Sequence, residues 1–166
     1  MPAPTQPLRE EHKELLPHVE SLREAAEAVG GPAGTLRTRV DAAHAFLKEH
    51  LIPHAEAEDS ALYPVVGREM GAPLATRTMS RDHVEVGRLT EELGALRQQI
   101  LAGEPSDATK DALRRVLFGL YTLVKLHFAK EEEIYLPLLD EKLDERSARD
   151  MFEAMEQAAQ AAKGAH

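Results

Sequence analysis

Two segments of the chain repeat the same spacing of residue types that can bind a metal ion. The segment HAEAEDSALYP begins at His54, and the segment HFAKEEEIYLP begins at His127. In each segment a Glu follows the His by four residues and a Pro follows the Glu by six, so that Glu58 and Glu131 correspond. Side chains four residues apart lie on one face of an α-helix. Each His can therefore reach the same metal ion as the Glu that follows it.

Each segment is preceded by a single His that directly follows an acidic residue. In the pair Glu11-His12, the His lies 42 residues before the first segment, and in the pair Asp82-His83 it lies 44 residues before the second. The chain therefore contains two copies of one unit. The unit consists of a His and, further along the chain, a His and a Glu spaced by four residues.

The doubled pattern predicts two metal ions. Each ion would be held by the two His residues of one unit, and the two Glu residues would bridge the ions. The predicted ligands are His12 and His54 for one ion, His83 and His127 for the other, and Glu58 and Glu131 for both. Imidazole and carboxylate together suit iron, manganese or zinc. The chain has no Cys, which excludes a thiolate site and disulfides.

The elements that must position these residues are helices, because apolar residues recur at helical spacing along the chain without strand-like alternation. Segments rich in Gly and Pro at 30–34, 67–73 and 103–105 separate four long helices. These are predicted over 8–29, 35–68, 74–101 and from Ser106 or Asp107 onward, and a shorter Ala-rich helix is predicted over 145–162.

Four long helices joined by short loops predict an all-α fold. We expect an antiparallel up-down four-helix bundle with a short additional C-terminal helix. The length of 166 residues suits a single domain, in which residues of about 8–140 form the core bundle.

In the fourth predicted helix, potential ligands lie inside the apolar stripe. This stripe is Leu120, Leu123, His127, Glu131 and Ile134. An unpaired carboxylate in a core costs several kcal/mol, and a shared metal centre would satisfy all the inward Glu and His residues together. A single inward His is more often a core histidine bonded to a neighbour. Six such residues in two matching units favour metal binding.

His50 is the residue that breaks the repeat. It precedes His54 by four residues, and the second unit has Leu123 at the corresponding position. Two interpretations are open. His50 is a fifth His ligand that makes the two metals unequal, helped by a kink at Pro53, or it orients His54 from behind.

Several polar residues near the predicted ligands have simpler interpretations. His18 is expected on a solvated flank of the first helix, although a contact with His50 is an alternative. The acidic residues beside the ligands are expected to be solvated on other faces; these are Glu56, Asp59, Glu132 and Glu133. Tyr63 and Tyr135 lie one turn beyond the bridging Glu residues, where their hydroxyls can bond to carboxylates or simply pack.

Composition excludes two classes of partner. The chain is 43% hydrophobic and 30% charged, with a net charge of −9. Nucleic acids and anionic membranes reward clustered Lys and Arg, so neither is expected as a partner. No apolar run approaches the ~20 residues of a membrane span, and the N-terminus lacks an apolar signal core. We therefore expect a cytoplasmic protein.

The full constellation resembles the haemerythrin-like family, also called the HHE cation-binding domain. The resemblance covers residues of about 8–140 and rests on His12, His54, Glu58, His83, His127 and Glu131. It implies a di-iron centre with oxo or carboxylate bridges in an up-down four-helix bundle. Oxygen-carrying members place a second His one turn after the third-helix ligand, where this chain has Gly87. The departure argues against reversible oxygen carriage and leaves space for a small ligand.

These observations lead to one principal functional expectation and two rivals. We expect a non-haem di-iron protein that binds or reacts with oxygen, nitric oxide or peroxide, with consumption of peroxide or nitric oxide as the candidate activity. The first rival is an iron-binding or oxygen-sensing module without turnover, and the second is a plain bundle with structural zinc. Either a monomer or a homodimer is compatible with the sequence.

Overall fold

The fold is a bundle of long helices with no strand among the described residues. The computed structural model describes residues 2–165. Helix α1 spans Gln6–Glu27, helix α3 spans Arg77–Ala102 and helix α5 spans Glu145–Ala165. The all-α class predicted from the sequence is confirmed.

Two of the helices change their hydrogen-bonding pattern along their length. Helix α2 is continuous through Ala33–Phe46, Leu47–Leu51, Ile52–Ala57, Glu58–Leu62 and Tyr63–Glu69. Helix α4 is continuous through Asp107–Lys130, Glu131–Tyr135 and Leu136–Lys142. The five-residue segments are π-helical turns, each closed by an N–H that bonds to the carbonyl five residues earlier.

Each π turn is followed by a proline in the second position of the next α-helical segment. The prolines are Pro53, Pro64 and Pro137. Proline has no N–H and cannot make the bond to the carbonyl four residues earlier, so the chain accommodates it with a wider turn. The Pro shared by the two sequence repeats therefore marks a π turn, and the turns in question begin at Glu58 and Glu131.

Polar contacts at both ends of α1 show that it runs antiparallel to its neighbours. The N–H of Thr5, just before α1, donates to Asp140 at the end of α4 over 2.8 Å. At the opposite end, Arg114 near the start of α4 donates to the carbonyl of Val29 over 3.2 Å. Helices α1 and α4 are therefore antiparallel neighbours.

The other helix pairs are antiparallel by the same criterion. Between α2 and α3, Arg97 bonds Asp41 at 2.5 Å and Ser80 bonds Asp59 at 2.7 Å. Between α3 and α4, Thr109 bonds Gln99 at 2.9 Å, and Lys130 bonds Asp82 at 2.5 Å. Between α1 and α2, Arg39 bonds Glu24 at 3.1 Å, and His54 bonds Glu11 at 2.9 Å.

The helix ends follow local chemistry, with one departure from the prediction. Ser106 caps α4, because its hydroxyl accepts the N–H of Thr109 over 3.2 Å. Gly71 has φ +63°, a left-handed conformation that favours glycine, in the turn that follows α2. Helix α3 begins at Arg77 rather than at Leu74, which lies in turns and is 65% exposed.

The core is divided into two apolar clusters. The larger lies toward one end of the bundle and includes Val19, Leu47, Leu93 and Leu120. The smaller lies toward the other end and joins Leu8, Leu62, Tyr63, Leu136 and Leu139 to two residues of α5, Met151 and Met155. The predicted metal ligands belong to neither cluster, so the core is interrupted by a polar layer.

Helix α5 covers the smaller cluster from outside by packing against the middle of α2. It buries Ala148, Met151 and Met155 in doing so. Its apolar face is therefore used within the chain. Among the described residues, no helix is both long and apolar enough to cross a bilayer.

The two-cluster core predicts where truncation is costly. Leu120 is completely buried in the larger cluster, so Leu120→Ala should lower the free energy of unfolding by about 2–5 kcal/mol through the cavity it leaves. Leu126 lies on the same helix but is 57% exposed, and Leu126→Ala should change the free energy of unfolding by less than ~0.5 kcal/mol. Urea unfolding of the metal-free protein measures both. Equal losses would contradict the assignment of the core.

Candidate metal centre

The structure brings the four His and two Glu residues predicted as ligands into one layer between the two apolar clusters. Helices α1 and α3 each supply one His, while α2 and α4 each supply a His and the Glu that begins a π turn. Five of these six side chains are buried, and His83 is partly exposed. The side chains are His12, His54, Glu58, His83, His127 and Glu131.

Two groups of potential ligand atoms share one carboxylate. The first group is His12, His54 and Glu58, and the second is Glu58, His83 and His127, with the ligand atoms in each group within 4.8 Å of one another. Glu58 Oε1 lies 3.4 Å from His54 Nε2 and 3.3 Å from His83 Nε2. Glu58 therefore lies between the two His pairs.

Glu131 lies between the same pairs from the opposite helix. Its Oε1 is 3.0 Å from His127 Nε2 and 3.9 Å from His12 Nε2. Each carboxylate thus approaches one His of each pair. Glu131, like Glu58, therefore lies between the two His pairs.

Each of the four imidazoles has a carboxylate on its outer nitrogen. In the first pair, His12 Nδ1 is 2.8 Å from Glu132 and His54 Nδ1 is 2.9 Å from Glu11. A carboxylate at Nδ1 accepts the N–H, which leaves the lone pair of Nε2 free to bind a metal. The carboxylate also fixes the orientation of the ring.

The second pair is held in the same way. His83 Nδ1 is 3.0 Å from Asp59, and His127 Nδ1 is 2.9 Å from Asp82. All four Nε2 atoms therefore point into the layer, where the two Glu carboxylates lie. Lys130 in turn bonds Asp82 at 2.5 Å and holds that carboxylate in place.

The partner carboxylates immediately adjoin the ligands in sequence. Glu11 and Asp82 precede a ligand His, while Asp59 and Glu132 follow a ligand Glu. Asp59 is exposed, as predicted, and Glu132 is half-buried, but each also bonds to a ligand His on a neighbouring helix, which was not predicted. The sequence signal for these contacts was the acidic residue directly beside each ligand. Of the other two acidic residues, Glu133 is exposed and Glu56 is half-buried.

Six buried side-chain atoms in the layer have no hydrogen-bond partner among the described residues. They are Nε2 of His12 and His54 and both carboxylate oxygens of Glu58 and Glu131. Burying such atoms unpaired is costly, and two adjacent carboxylates add mutual repulsion. A cation bound between them would satisfy these atoms. The donor set of nitrogen and oxygen fits iron, manganese or zinc.

The electrostatics of the layer favour positive charge. Burial lowers the pKa of His54, but the charge of Glu58 and the bond to Glu11 outweigh it and raise the pKa to about 9. Burial also opposes the charged form of His127, yet Glu131 and Glu58 raise its pKa to about 10. Burial and the charge of Glu58 raise the pKa of Glu131 well above its usual range. Without a metal, the layer therefore retains protons.

His50 is not brought to this layer. Its side chain is exposed, whereas the adjacent Leu51 is buried. His50 lines a pocket of about 160 Å³ together with His54, Glu11 and Lys163, but it belongs to neither group of potential ligand atoms. His18 is also exposed and stacks on Phe46 with ring centres 5.2 Å apart. Both His residues stay outside the two ligand groups.

The two tyrosines near the repeats behave differently from each other. The hydroxyl of Tyr63 is 3.0 Å from His127 Nε2 and 3.4 Å from His83 Nε2. The hydroxyl of Tyr135 instead donates to the carbonyl of Ala75 over 3.4 Å. Neither bonds to a ligand carboxylate, which was one of the two interpretations left open by the sequence. Burial and then the charge of Glu58 raise the pKa of Tyr63, so its hydroxyl is neutral.

A small cavity adjoins the layer. Its apolar walls are Leu51, Ala55, Val86, Val124 and Phe128, and its polar walls are His54, Glu58, His83 and His127. Its volume of about 10 Å³ is close to the roughly 10–15 Å³ that one water-sized molecule needs. The cavity therefore has room for about one water-sized group.

The space at Gly87 lies elsewhere. Gly87 lines a pocket of about 360 Å³ on the outer side of α2 and α3, together with His44, Ile52 and Thr90. A Cβ at this position would meet nothing within 4 Å. The free volume predicted at the glycine is present, but Gly87 does not line the small cavity among the ligands.

Comparison with known proteins agrees with this geometry. A curated relative, the iron-sulfur cluster repair protein YtfE of Yersinia pseudotuberculosis serotype IB (strain PB1/+), is 27% identical over 128 residues. The alignment covers 76% of this chain and 58% of the relative, so the chain spans less than two thirds of that protein. No solved structure matches the chain significantly. Residues 3–139 match the family model of the hemerythrin HHE cation-binding domain. The chain therefore belongs to the hemerythrin HHE cation-binding family.

Proposed function

We propose that the chain holds a non-haem di-iron centre that binds or reacts with a small molecule such as oxygen, nitric oxide or peroxide. The observation that carries this proposal is the placement of two buried carboxylates between two His pairs. One metal ion would leave one His pair and part of each carboxylate unsatisfied. Two ions would engage all six side chains.

Iron is the best-supported metal for this site. Imidazole and carboxylate donors suit iron, manganese and zinc alike. The relative is named for repair of iron-sulfur clusters, and cation binding is the property for which the family is named. Iron also has the redox chemistry that reaction with a diatomic ligand requires, whereas zinc has none.

The cavity supports a small ligand. Its volume of about 10 Å³ excludes organic substrates, while its apolar walls suit oxygen or nitric oxide. Leu51, Val86, Val124 and Phe128 give this cavity an apolar lining beside His83 and His127. Iron would supply the binding and redox chemistry, and the protein would supply geometry, dryness and selection by size.

The protein residues also set how rigid the site is. Each imidazole is held at Nδ1 by a carboxylate, so the ring cannot turn away when a ligand binds or leaves. The Glu residues begin π turns, which place them on the inner face while the following acidic residue reaches a neighbouring His. The six donor side chains would hold the two ions and would leave room for small exogenous ligands to bind them.

The alternative is an iron-binding or sensing module without turnover. The same ligand set serves both functions, so a kinetic measurement must separate them. Repair of iron-sulfur clusters, the activity in the relative's name, would require iron to enter or leave the protein. Repeated consumption of peroxide or nitric oxide by the iron-loaded chain would favour a reactive centre, and a single stoichiometric event would favour the module.

The first prediction concerns metal content. The chain reconstituted with ferrous iron should hold about two ions, as expected for a paired site. Glu131→Ala should reduce this to about one or fewer, because it removes a carboxylate that both positions share. Glu133→Ala, two residues later in the same π turn and exposed, is the matched control and should retain both ions. Equal loss of iron from the two variants would refute the assigned helix face.

The second prediction concerns the orienting carboxylates. Asp82→Asn weakens the hold on His127 without removing a ligand, so metal affinity should fall ~10-fold to 100-fold while saturating metal still fills both positions. Glu91→Gln, at an exposed position on the same helix, should leave affinity unchanged. Competition with a chelator of known affinity measures both variants. An affinity for Asp82→Asn within twofold of the original chain would refute the orienting role.

The third prediction is a pair of opposite pH dependences. A metal binds neutral imidazole, so protons on His54 and His127, with pKa values of about 9 and 10, must leave. Metal affinity should therefore fall as pH is lowered below about 9. In the metal-free protein the raised pKa values contribute stability that is complete below about pH 6.5 and is lost as pH rises through 9 to 10. Metal competition and urea unfolding across this range test both, and equal affinity at about pH 5 and pH 8 would contradict the first.

A further inference from the structure

The hydroxyl of Tyr63 lies among the inward nitrogens of one His pair. On this basis we propose that Tyr63 is an additional metal ligand, whose phenol oxygen binds the ion held by His83 and His127. The inference rests on the proposed di-iron function and adds a ligand of a different chemical type. It also makes the two metal positions unequal.

The spacing of three atoms carries the proposal. Tyr63 Oη is 3.0 Å from His127 Nε2 and 3.4 Å from His83 Nε2, and the two nitrogens are 3.0 Å apart. Metal–nitrogen and metal–oxygen bonds in such sites are ~2.0–2.2 Å long, so two ligands at right angles around one ion are about 3 Å apart. The three atoms are thus spaced as neighbours around a single ion.

Hydrogen bonding explains this cluster less completely. One hydroxyl has one proton, so it can donate to one of the two nitrogens at a time. The outer nitrogens of His83 and His127 already bond Asp59 and Asp82. One cation would contact the phenol oxygen and both inner nitrogens together.

The π turn explains how Tyr63 reaches the site. Its N–H bonds to the carbonyl of Glu58, five residues earlier, so the wide turn stacks Tyr63 above the shared carboxylate. In a regular α-helix the residue above Glu58 would be Leu62. Tyr63 is 3% exposed, so its hydroxyl faces the interior of the protein.

The repeat shows that only one half of the centre has this oxygen. Aligning Glu58 with Glu131 places Leu136 opposite Tyr63. Leu136 is completely buried and has no ligand atom. The aromatic ring against His12 is that of Phe128, stacked with ring centres 4.3 Å apart, and it has no polar atom either. Tyr63 would therefore make the two metal positions unequal, as a ligand role for His50 would have done.

The binding step is a simple exchange of a proton for a metal. The O–H bond of Tyr63 breaks, the proton passes to solvent, and the phenol oxygen forms a bond to the ion. No electron is transferred. An anionic oxygen favours the ferric over the ferrous state, and a phenolate bound to ferric iron absorbs visible light by charge transfer. Excitation in that band enhances phenolate ring vibrations in the Raman spectrum.

The experiment compares iron content with that spectroscopic signature. The chain is loaded with ferrous iron, oxidised in air, and measured by metal analysis, visible absorption and resonance Raman scattering. The original chain should hold iron and show phenolate modes. Tyr63→Phe should lose the visible band completely yet retain at least half of the iron. Tyr135→Phe is the matched control and should keep the band, because its hydroxyl lies on the Ala75 carbonyl.

A second variant tests the same assignment if Tyr63→Phe fails to fold. The chain contains three tyrosines, and the hydroxyl of Tyr121 lies near Glu20 and Lys125 rather than in the polar layer. The double variant Tyr121→Phe/Tyr135→Phe therefore leaves Tyr63 as the one remaining tyrosine. Phenolate modes in this variant would assign the ligand without altering it.

The outcomes separate this inference from the function on which it rests. A chain that takes up no iron would overturn both. Iron uptake without phenolate modes would overturn the ligand assignment alone. Azide can be added to the iron-loaded protein as a small-molecule probe, and a Tyr63→Phe variant that changes only the azide spectrum would also overturn the assignment. That case would show that the hydroxyl donates a hydrogen bond to a bound small molecule. Phenolate modes that persist in Tyr63→Phe would likewise overturn it.

Discussion

The burial of two carboxylates in the middle of a helical bundle is the constraint on which the rest of the structure depends. Glu58 and Glu131 are both completely buried, and their oxygens have no hydrogen-bond partner among the described residues. Carboxylates in an apolar interior repel each other and lose their hydration. The neighbouring imidazoles and a bound cation are the groups that can offset this. The polar layer and the division of the core into two clusters follow from that requirement.

The π turns at Glu58 and Glu131 determine where the repeated acidic side chains point. Prolines six residues after Glu58 and Glu131 cannot donate the regular helical bond, and the preceding turn widens. The wide turn keeps each Glu inward and directs the next residue toward a neighbouring helix. Two adjacent acidic side chains can therefore perform different tasks. One faces the polar layer, and the other bonds to the Nδ1 atom of an imidazole.

Much of the fold and the membership of the polar layer could be predicted from the sequence, because both follow from helical periodicity. His54 and Glu58 share a face in any α-helix, whereas the spacing from His50 to His54 crosses the end of a π turn, which has no local signature except the later proline. There is another reason why the bonds of Asp59 and Glu132 to ligand His residues were not predicted. Their partners lie on other helices, and a single-helix argument cannot identify cross-helix bonds.

The charge balance of the layer leads us to expect that cation binding stabilises the fold. Six carboxylates surround four imidazoles, counting the four that hold Nδ1 atoms. Among these, Glu132 is paired with Arg9 and Asp82 with Lys130, while Glu11 and Asp59 are partly exposed. Within residues 2–165, no Lys or Arg pairs with the two inner Glu residues. In the metal-free protein they depend on protons held by His54 and His127. Metal ions would replace those protons with more positive charge, at a shorter distance from the carboxylate oxygens. Binding would therefore stabilise the polar layer between the two apolar clusters.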